Sequence, residues 1–313
     1  MFSFLKNIFS VSSYSQYHNL IRFLGFKIKI QKSEIRKQLK VYLDCKKKNV
    51  DITDLPKVEG QMRDLQLANL YLLKEFDYIC KQNNLTYWLD YGTLLGAVRH
   101  KGFIPWDNDI DVSMPRCDYE KVIDAIKNTS RDSNIYADFW VLEDKSIYIK
   151  ILYKNCPQLF VDIFPNDTYG QVLNLEQQLL KSKEIKAKNI VLTENLKDVE
   201  DKNELYKKTL EYMQNEVLQN DKVENSDFVW GADYRHRWKN WFLSYDTLYP
   251  LKILEFEGLE FPVVNNPDKY LSGIYGNYMN YPSKITFPHS NCPIFTQAEV
   301  EIIEKLKDLS ING

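Results

Sequence analysis

Residues 107–111 read Asp107-Asn108-Asp109-Ile110-Asp111, and the chain continues as Val112-Ser113-Met114. The alternation predicts a half-buried strand over residues 109–114, because successive side chains on a strand point to opposite faces. Asp109 and Asp111 then share one face and Ile110 and Val112 the other. Few folds tolerate two carboxylates side by side, since each raises the cost of ionising the other. A hard cation relieves that cost, so the pair implies a metal with oxygen ligands, Mg²⁺ or Mn²⁺. The spacing also suits two ions about 3.5–4 Å apart, the arrangement used for displacement at phosphorus.

Two blander readings compete with this one. Asp107, Asp109 and Asp111 match the opening of an EF-hand loop, but that loop needs Gly at its sixth position and Glu at its twelfth, where Val112 and Asp118 stand. The calcium loop fails on these two positions. A solvated acidic turn is the other alternative, and the rest of the sequence weighs against it.

Asp162 stands between Val161 and Ile163 in a second apolar, β-rich segment. A lone acid there is costly unless paired or metal-bound. On a neighbouring strand it serves as a third ligand or as a base for an attacking hydroxyl. A salt-bridged core acid is the alternative. Gly92-Thr93 follows a short β-rich run at 86–90 and precedes helix-like residues 94–99, which places backbone N–H groups and a hydroxyl where a phosphate would sit. Arg99 and Lys101 flank the following loop and are either neutralisers of a phosphate or plain surface charges. Gly-Thr, then Asp-x-Asp, then a later Asp is the order found in nucleotidyltransferases. The expected class is therefore α+β, with a nucleotidyltransferase-like mixed sheet flanked by helices.

Around this centre, apolar residues recur at helical spacing over 59–83, helix is expected over 118–128, and strands over 147–153 and 159–164. Pro165-Asn166-Asp167 reads as a turn closing the last of these. Residues 173–222 are Lys- and Glu-rich and predict a helical insertion. Residues 1–50 carry eleven Lys and Arg against Glu34 and Asp44. We take residues 1–55 as a basic amphipathic extension, suited to an anionic membrane surface or to packing against the acidic body, and 56–313 as the catalytic domain. The acidic body excludes broad nucleic-acid binding. The five scattered cysteines lack the spacings of zinc or redox sites, and no apolar run is long enough to span a bilayer, so the expected location is cytoplasmic, peripheral at the inner membrane face.

The run from Tyr91-Gly92-Thr93-Leu94-Leu95-Gly96-Ala97-Val98-Arg99-His100-Lys101 through Gly102-Phe103-Ile104-Pro105-Trp106 to Asp111 resembles the hallmark of the LicD phosphotransferase family, which is related to the fukutin-type proteins. Phe160-Val161-Asp162-Ile163-Phe164-Pro165 is similar to its second block, and Phe256-Glu257-Gly258 and Tyr275-Gly276-Asn277-Tyr278-Met279 to its C-terminal blocks. The resemblance implies Mg²⁺-dependent transfer of a phospho-substituent, such as phosphocholine or ribitol or glycerol phosphate, from a CDP-activated donor to a glycan hydroxyl, with CMP leaving. The acceptor would be a cell-surface glycan, in a lipid-linked form where the enzyme meets a membrane. Asp109, Asp111 and Asp162 would form the metal and catalytic set, Gly92, Thr93, Arg99 and Lys101 the phosphate contacts. Tyr91, Trp106, Asp107, Trp230, Tyr234, Lys284 and His289 are candidate substrate contacts. The last block departs from the family, with Lys284-Ile285-Thr286-Phe287-Pro288 before His289 where an Arg is usual. Trp230, Tyr234, Trp238 and Trp241 are a candidate cage for a quaternary ammonium or a piece of core. Two other functions stay open: a metal-dependent glycosyltransferase, and a non-catalytic glycan- or nucleotide-binding protein.

Overall fold

A computed structural model describes residues 9–15, 18–23, 26–31, 33–218, 223–234, 241–285 and 296–312, with side chains placed from residue 37 to residue 310 within those ranges. The backbone opens with Phe9–Ser15 (β1), His18–Phe23 (β2) and Phe26–Gln31 (β3), paired in an antiparallel meander, and then Ser33–Lys47 (α1). Tyr42 of α1 is fully buried, its ring edge-on to Trp106 at 5.5 Å.

The helix read at 59–83 is Gln61–Gln82 (α2). Its inner stripe includes Met62, Leu65, Leu72, Leu73 and Phe76, interrupted by the buried polar side chains Gln66 and Asn69. Trp88–Leu89 (β4), Tyr91–His100 (α3) and Asp111–Pro115 (β5) follow. The expected helix over 118–128 is two pieces, Arg116–Tyr119 (α4) and Val122–Thr129 (α5). Ile135–Val141 (β6), Ile147–Tyr153 (β7) and Cys156–Thr168 (β8) complete the central strands.

β5 and β8 pair in parallel, and β4 adds antiparallel to β5. β8 is long enough to hold two neighbours in succession on its other edge. β7, itself paired with β6, covers it up to the rung Ile149↔Ile163, and Phe228–Trp230 (β9) takes over from Asn166↔Trp230. Pro165-Asn166-Asp167 is thus not a turn but part of a strand. Proline survives there because it falls between the last rung to β7 and the first to β9, where no ladder bond on that edge needs its missing N–H. Trp241–Leu243 (β10) extends the sheet beyond β9. The result is the mixed sheet with flanking helices that the sequence implied.

α2 packs against the sheet face carrying Val112, Met114, Val161 and Ile163, and the C-terminal helix Gln297–Asn312 (α10) packs on α2. The helix-rich stretch contains Leu175–Leu196 (α6), opened by an Asn174/Gln177 capping box, and Lys202–Tyr212 (α7), which runs into a π turn at Met213–Val217. Tyr245–Leu248 (α8), the hairpin Lys252–Phe256 (β11) and Leu259–Val263 (β12), and Pro267–Tyr275 (α9) follow. Among the described residues no helix is long and apolar enough to cross a membrane.

Candidate active site

The acid run enters the sheet from a loop, not from a strand. β5 begins at Asp111, so Asp109 and Ile110 belong to its lead-in, yet the alternation persists: Asp109 and Asp111 keep some solvent contact while Ile110 and Val112 are sealed. Register places Asp162 directly beside Asp111 on β8, and Asp162 N–H donates to the Ile110 carbonyl at 2.9 Å. Across the other edge of β8, Lys150 faces Asp162, with its ammonium 2.8 Å from Oδ1 and 3.6 Å from the centre of the Phe160 ring. The sequence reading missed Lys150. It is a lone charge in an apolar strand, the same signal that exposed Asp162, and opposite charges in two such strands form a natural cross-strand pair.

Charge is the dominant property of this site. Burial pushes the Asp111 carboxyl well above the usual carboxylate range, reinforced by Asp109, Asp162, Asp107 and Asp90. Asp107 is raised likewise by burial and then by Asp109, against which its carboxyl hydrogen-bonds. The Tyr148 and Tyr275 hydroxyls are raised by burial and by the same acids, so both phenols line the cluster as neutral groups. Among the described residues one ammonium faces four carboxylates, an excess of negative charge that oxygen-seeking divalent cations match. Among the described residues no three acids are already drawn into a closed cage. Asp107 rests on Asp109 and Asp162 on Lys150, so an ion held by Asp109, Asp111 and Asp162 would compete with those contacts. The donor chemistry fits Mg²⁺.

The backbone of the acid loop is fixed from behind by neutral amides. Gln66 Nε2 donates to the Asp107 carbonyl at 2.6 Å, and Asn69 Nδ2 to the Asn108 carbonyl at 2.7 Å, while Asn69 Oδ1 accepts from Phe160 N–H on β8 at 3.0 Å. Gln66 is steered in turn by Arg63, whose guanidinium grips Glu257 at the β11–β12 turn through two bonds of 2.9 and 2.6 Å. Glu257 also accepts from Phe103 N–H. Burial would raise the Glu257 carboxyl, but Arg63 and Lys57 more than offset it and hold the group below the usual range. The Phe256-Glu257-Gly258 block is therefore a brace for the loop. Polar residues at inward positions of an otherwise apolar helical stripe were the available signal for Gln66 and Asn69; Glu257 was marked by the resemblance of Phe256-Glu257-Gly258 to a family block, without a physical role.

α3 starts in strain. Tyr91 adopts φ +42, a left-handed conformation costly for an aromatic residue, and Asp90 caps it by accepting from Tyr91 N–H at 2.7 Å. Asp90 also accepts from Ser113 and from the Tyr270 hydroxyl and is completely buried, which raises its carboxyl despite these bonds. Gly92 lies under Asp107: a Cβ there would sit 3.1 Å from Asp107 Oδ2. The Thr93 hydroxyl accepts from Asp111 N–H at 2.8 Å, so it positions the strand that carries the acid.

The remaining candidates sort differently. Arg99 turns inward, donating to His100 Nε2 and to the Tyr278 carbonyl, and burial lowers it to about 10; burial and Arg99 together drop His100 to about 3. Arg99 thereby ties α3 to the Tyr275-Gly276-Asn277-Tyr278-Met279 block. Lys101 is exposed and closes α3 in a left-handed conformation. Trp106 is buried and packs into the core on Tyr42. Trp230 and Tyr234 are buried in an aromatic cluster with Tyr91, Tyr148 and Phe164, and Trp230 stacks on Trp241 at 4.4 Å and 3°. Among the described residues these rings close on one another and leave no gap between them for a quaternary ammonium. Lys284 is exposed, next to Pro282 and Ser283, whose carbonyls accept from Lys46 of α1. His289 and Trp238 lie outside the described residues.

Residues 84–192, which span Asp90, the acid loop, Lys150 and Asp162, match a family model described as the LicD/FKTN/FKRP nucleotidyltransferase domain. Over 245 residues the chain is 28% identical to the lipopolysaccharide cholinephosphotransferase LicD of Haemophilus influenzae, covering 71% of this chain and 92% of that one. It is 32% identical over 82 residues to the human ribitol 5-phosphate transferase FKRP, covering 25% of this chain and 16% of that one. An uncharacterized Rickettsia typhi protein is 28% identical over 156 residues, covering 45% and 46% of the two chains. The resemblance read from residues 91–111 holds over the segment that builds the site.

Proposed function

We propose that this chain, which carries a LicD-type nucleotidyltransferase domain, transfers a phospho-substituent from a CDP-activated donor to a hydroxyl of a cell-surface glycan and releases CMP. The observation that carries the reading is the gathering of Asp107, Asp109, Asp111 and Asp162, the last of them paired with Lys150, beside the start of a helix. Asp109, Asp111 and Asp162 would hold Mg²⁺, which when bound neutralises charge on the donor diphosphate and its leaving group. Thr93 fixes the Asp111 backbone, Lys150 orients Asp162, and Gln66 and Asn69 keep the loop from yielding to the repulsion among its acids. The acceptor oxygen forms the new bond to the phosphorus that bears the cargo as the phosphoanhydride bond to CMP breaks. The hydroxyl proton passes to a carboxylate of the cluster.

The length of the likeness to a cholinephosphotransferase makes phosphocholine the first cargo to test and ribitol phosphate the second. The closed aromatic cluster offers either one a wall, not a cage. We place the catalytic domain at 56–313 and assign the basic segment 1–55 to membrane contact near the acceptor.

The test is a thermal-shift screen of CDP-choline, CDP-ribitol, CDP-glycerol, UDP-glucose and CMP with and without Mg²⁺, followed by a transfer assay with the best donor. Mg²⁺-dependent stabilisation by one CDP-linked donor, together with release of CMP in the presence of glycan, supports the reading. A response to UDP-glucose alone would move the assignment to a glycosyltransferase.

A further inference from the structure

A cavity of about 660 Å³ lies between the first turns of α6, strand β10 and helix α9, outside the carboxylate site but sharing a wall with it. Trp241 and Tyr270 form that wall. On its far side Trp241 stacks on Trp230 and touches Tyr91, and the Tyr270 hydroxyl donates to Asp90. The rest of the lining is mostly apolar and includes Leu173, Leu243 and Ile274.

Its polar side chains are largely engaged with one another. Gln178 donates to the Leu173 carbonyl and to Asp227, the Ser244 and Thr247 hydroxyls bond each other at 2.7 Å, and Lys269 donates to Ser244 at 3.1 Å. A sugar or nucleobase would find few open partners here, whereas an apolar group needs none. At the mouth, Leu175 is 71% exposed and Leu179 57% exposed, with Val172 beside them at 63%. Large apolar side chains left in water around an apolar cavity mark a surface that meets an apolar partner. Along the same helix Lys183 and Lys186 are exposed one and two turns further on, and the exposed Glu184 between them is taken up by Lys181 and Lys188, so the rim beyond the leucines is net basic.

We infer that this cavity takes the apolar chain of an amphiphilic, anionic acceptor, with the chain lodged between α6 and α9, its head toward Lys183 and Lys186, and its glycan reaching past Trp241 to the carboxylates. The inference rests on the transferase reading for the word acceptor, but not for the binding itself. Apolar contact supplies retention, and the shared wall sets the distance between the anchored chain and the reacting hydroxyl.

Gly273 supplies the test. It lines the cavity from α9, and a Cβ added to it would have no atom within 4 Å, so Gly273→Phe fills the space without displacing backbone. Binding of decyl phosphate below its critical micelle concentration is measured by calorimetry, without donor or metal, on the full chain, on Gly273→Phe and on the surface variant Leu175→Ser/Leu179→Ser. The expected result is saturable binding that strengthens from hexyl to decyl phosphate and falls at least tenfold in both variants, with unchanged unfolding temperatures. Absence of binding to the parent protein, or equal binding by Gly273→Phe and the parent, overturns the inference.

A transfer assay keeps the two readings apart. Gly273→Phe should retain turnover of a water-soluble glycan that lacks an alkyl chain and lose turnover of the alkyl-linked one. Equal loss on both acceptors overturns the role assigned to the cavity even if the transferase reading stands. Chain binding without any transfer would leave the cavity in place and remove only the transferase reading.

Discussion

Two groups of buried carboxylates lie along the same pair of strands, and they are built on opposite principles. At the C-terminal end of β5, Arg116 holds Asp167 through bonds of 2.8 and 2.6 Å and Asp233 at 3.0 Å, with all three side chains withdrawn from water. At the other end, Asp107, Asp109 and Asp111 crowd together, and Lys150, across β8, answers Asp162. In the first group one guanidinium answers both carboxylates, and we expect the fold to depend on it remaining whole. The second group sets several carboxylates against one ammonium among the described residues, and amides from α2 hold its backbone in place. An acid cluster whose counter-charge comes from the fold is architecture, and one whose counter-charge is withheld is a binding site.

The widest expected separation comes from removing one acid of the second group. Asp111→Ala should lower transfer by about a thousandfold, the several kcal/mol a metal supplies to a transferring phosphoryl group. Its unfolding temperature in chelator should hold or rise, because repulsion is relieved. Normal turnover, or a collapse of stability in chelator, would erase the contrast. The converse change is Arg116→Met, which strands Asp167 and Asp233 and should cost about 3–5 kcal/mol of stability by urea unfolding. Wild-type stability in that variant would mean the first group is not architecture.

A smaller effect is expected of pH. Asp107 and Asp111 have raised carboxyls, so the folded state binds protons the unfolded chain has released. Their contribution is fully present below the ordinary carboxylate range and is lost as pH rises through the raised values. Stability in chelator should therefore decline as pH climbs from about 4 toward neutrality, and added Mg²⁺ should flatten that slope. A flat profile in chelator would show that the charge excess has another remedy within the protein.

Much of the second group was legible because its signals are local: an alternating acid run, one acid in an apolar strand, a glycine before a helix. Its supports were not. Lys150 meets Asp162 only once β7 is registered on β8, and Gln66 reaches the Asp107 carbonyl across 41 positions of chain. The first group went unread, since Asp167 stood within a cluster of residues typical of turns and nothing singled out Arg116 after Met114-Pro115. The aromatic residues from Trp230 onward gave composition but not arrangement, and composition fits a cage and a core equally well. The helix α2 followed from periodicity and α6 and α7 from a Lys- and Glu-rich composition, while the break between α4 and α5 at 120–121 had no comparable signal.

The parallel pair β5 and β8 carries one consequence for folding fidelity. A slip of one residue would turn Asp162 to the helix-covered face and bring Ile163 to the acids. The repelling end gives no guidance toward the correct pairing, since Asp111 and Asp162 disfavour each other's approach. The Arg116–Asp167 fork at the opposite end works as a register key: it closes only when Pro115 stands opposite Asn166, and in doing so it delivers the two repelling acids to the same rung.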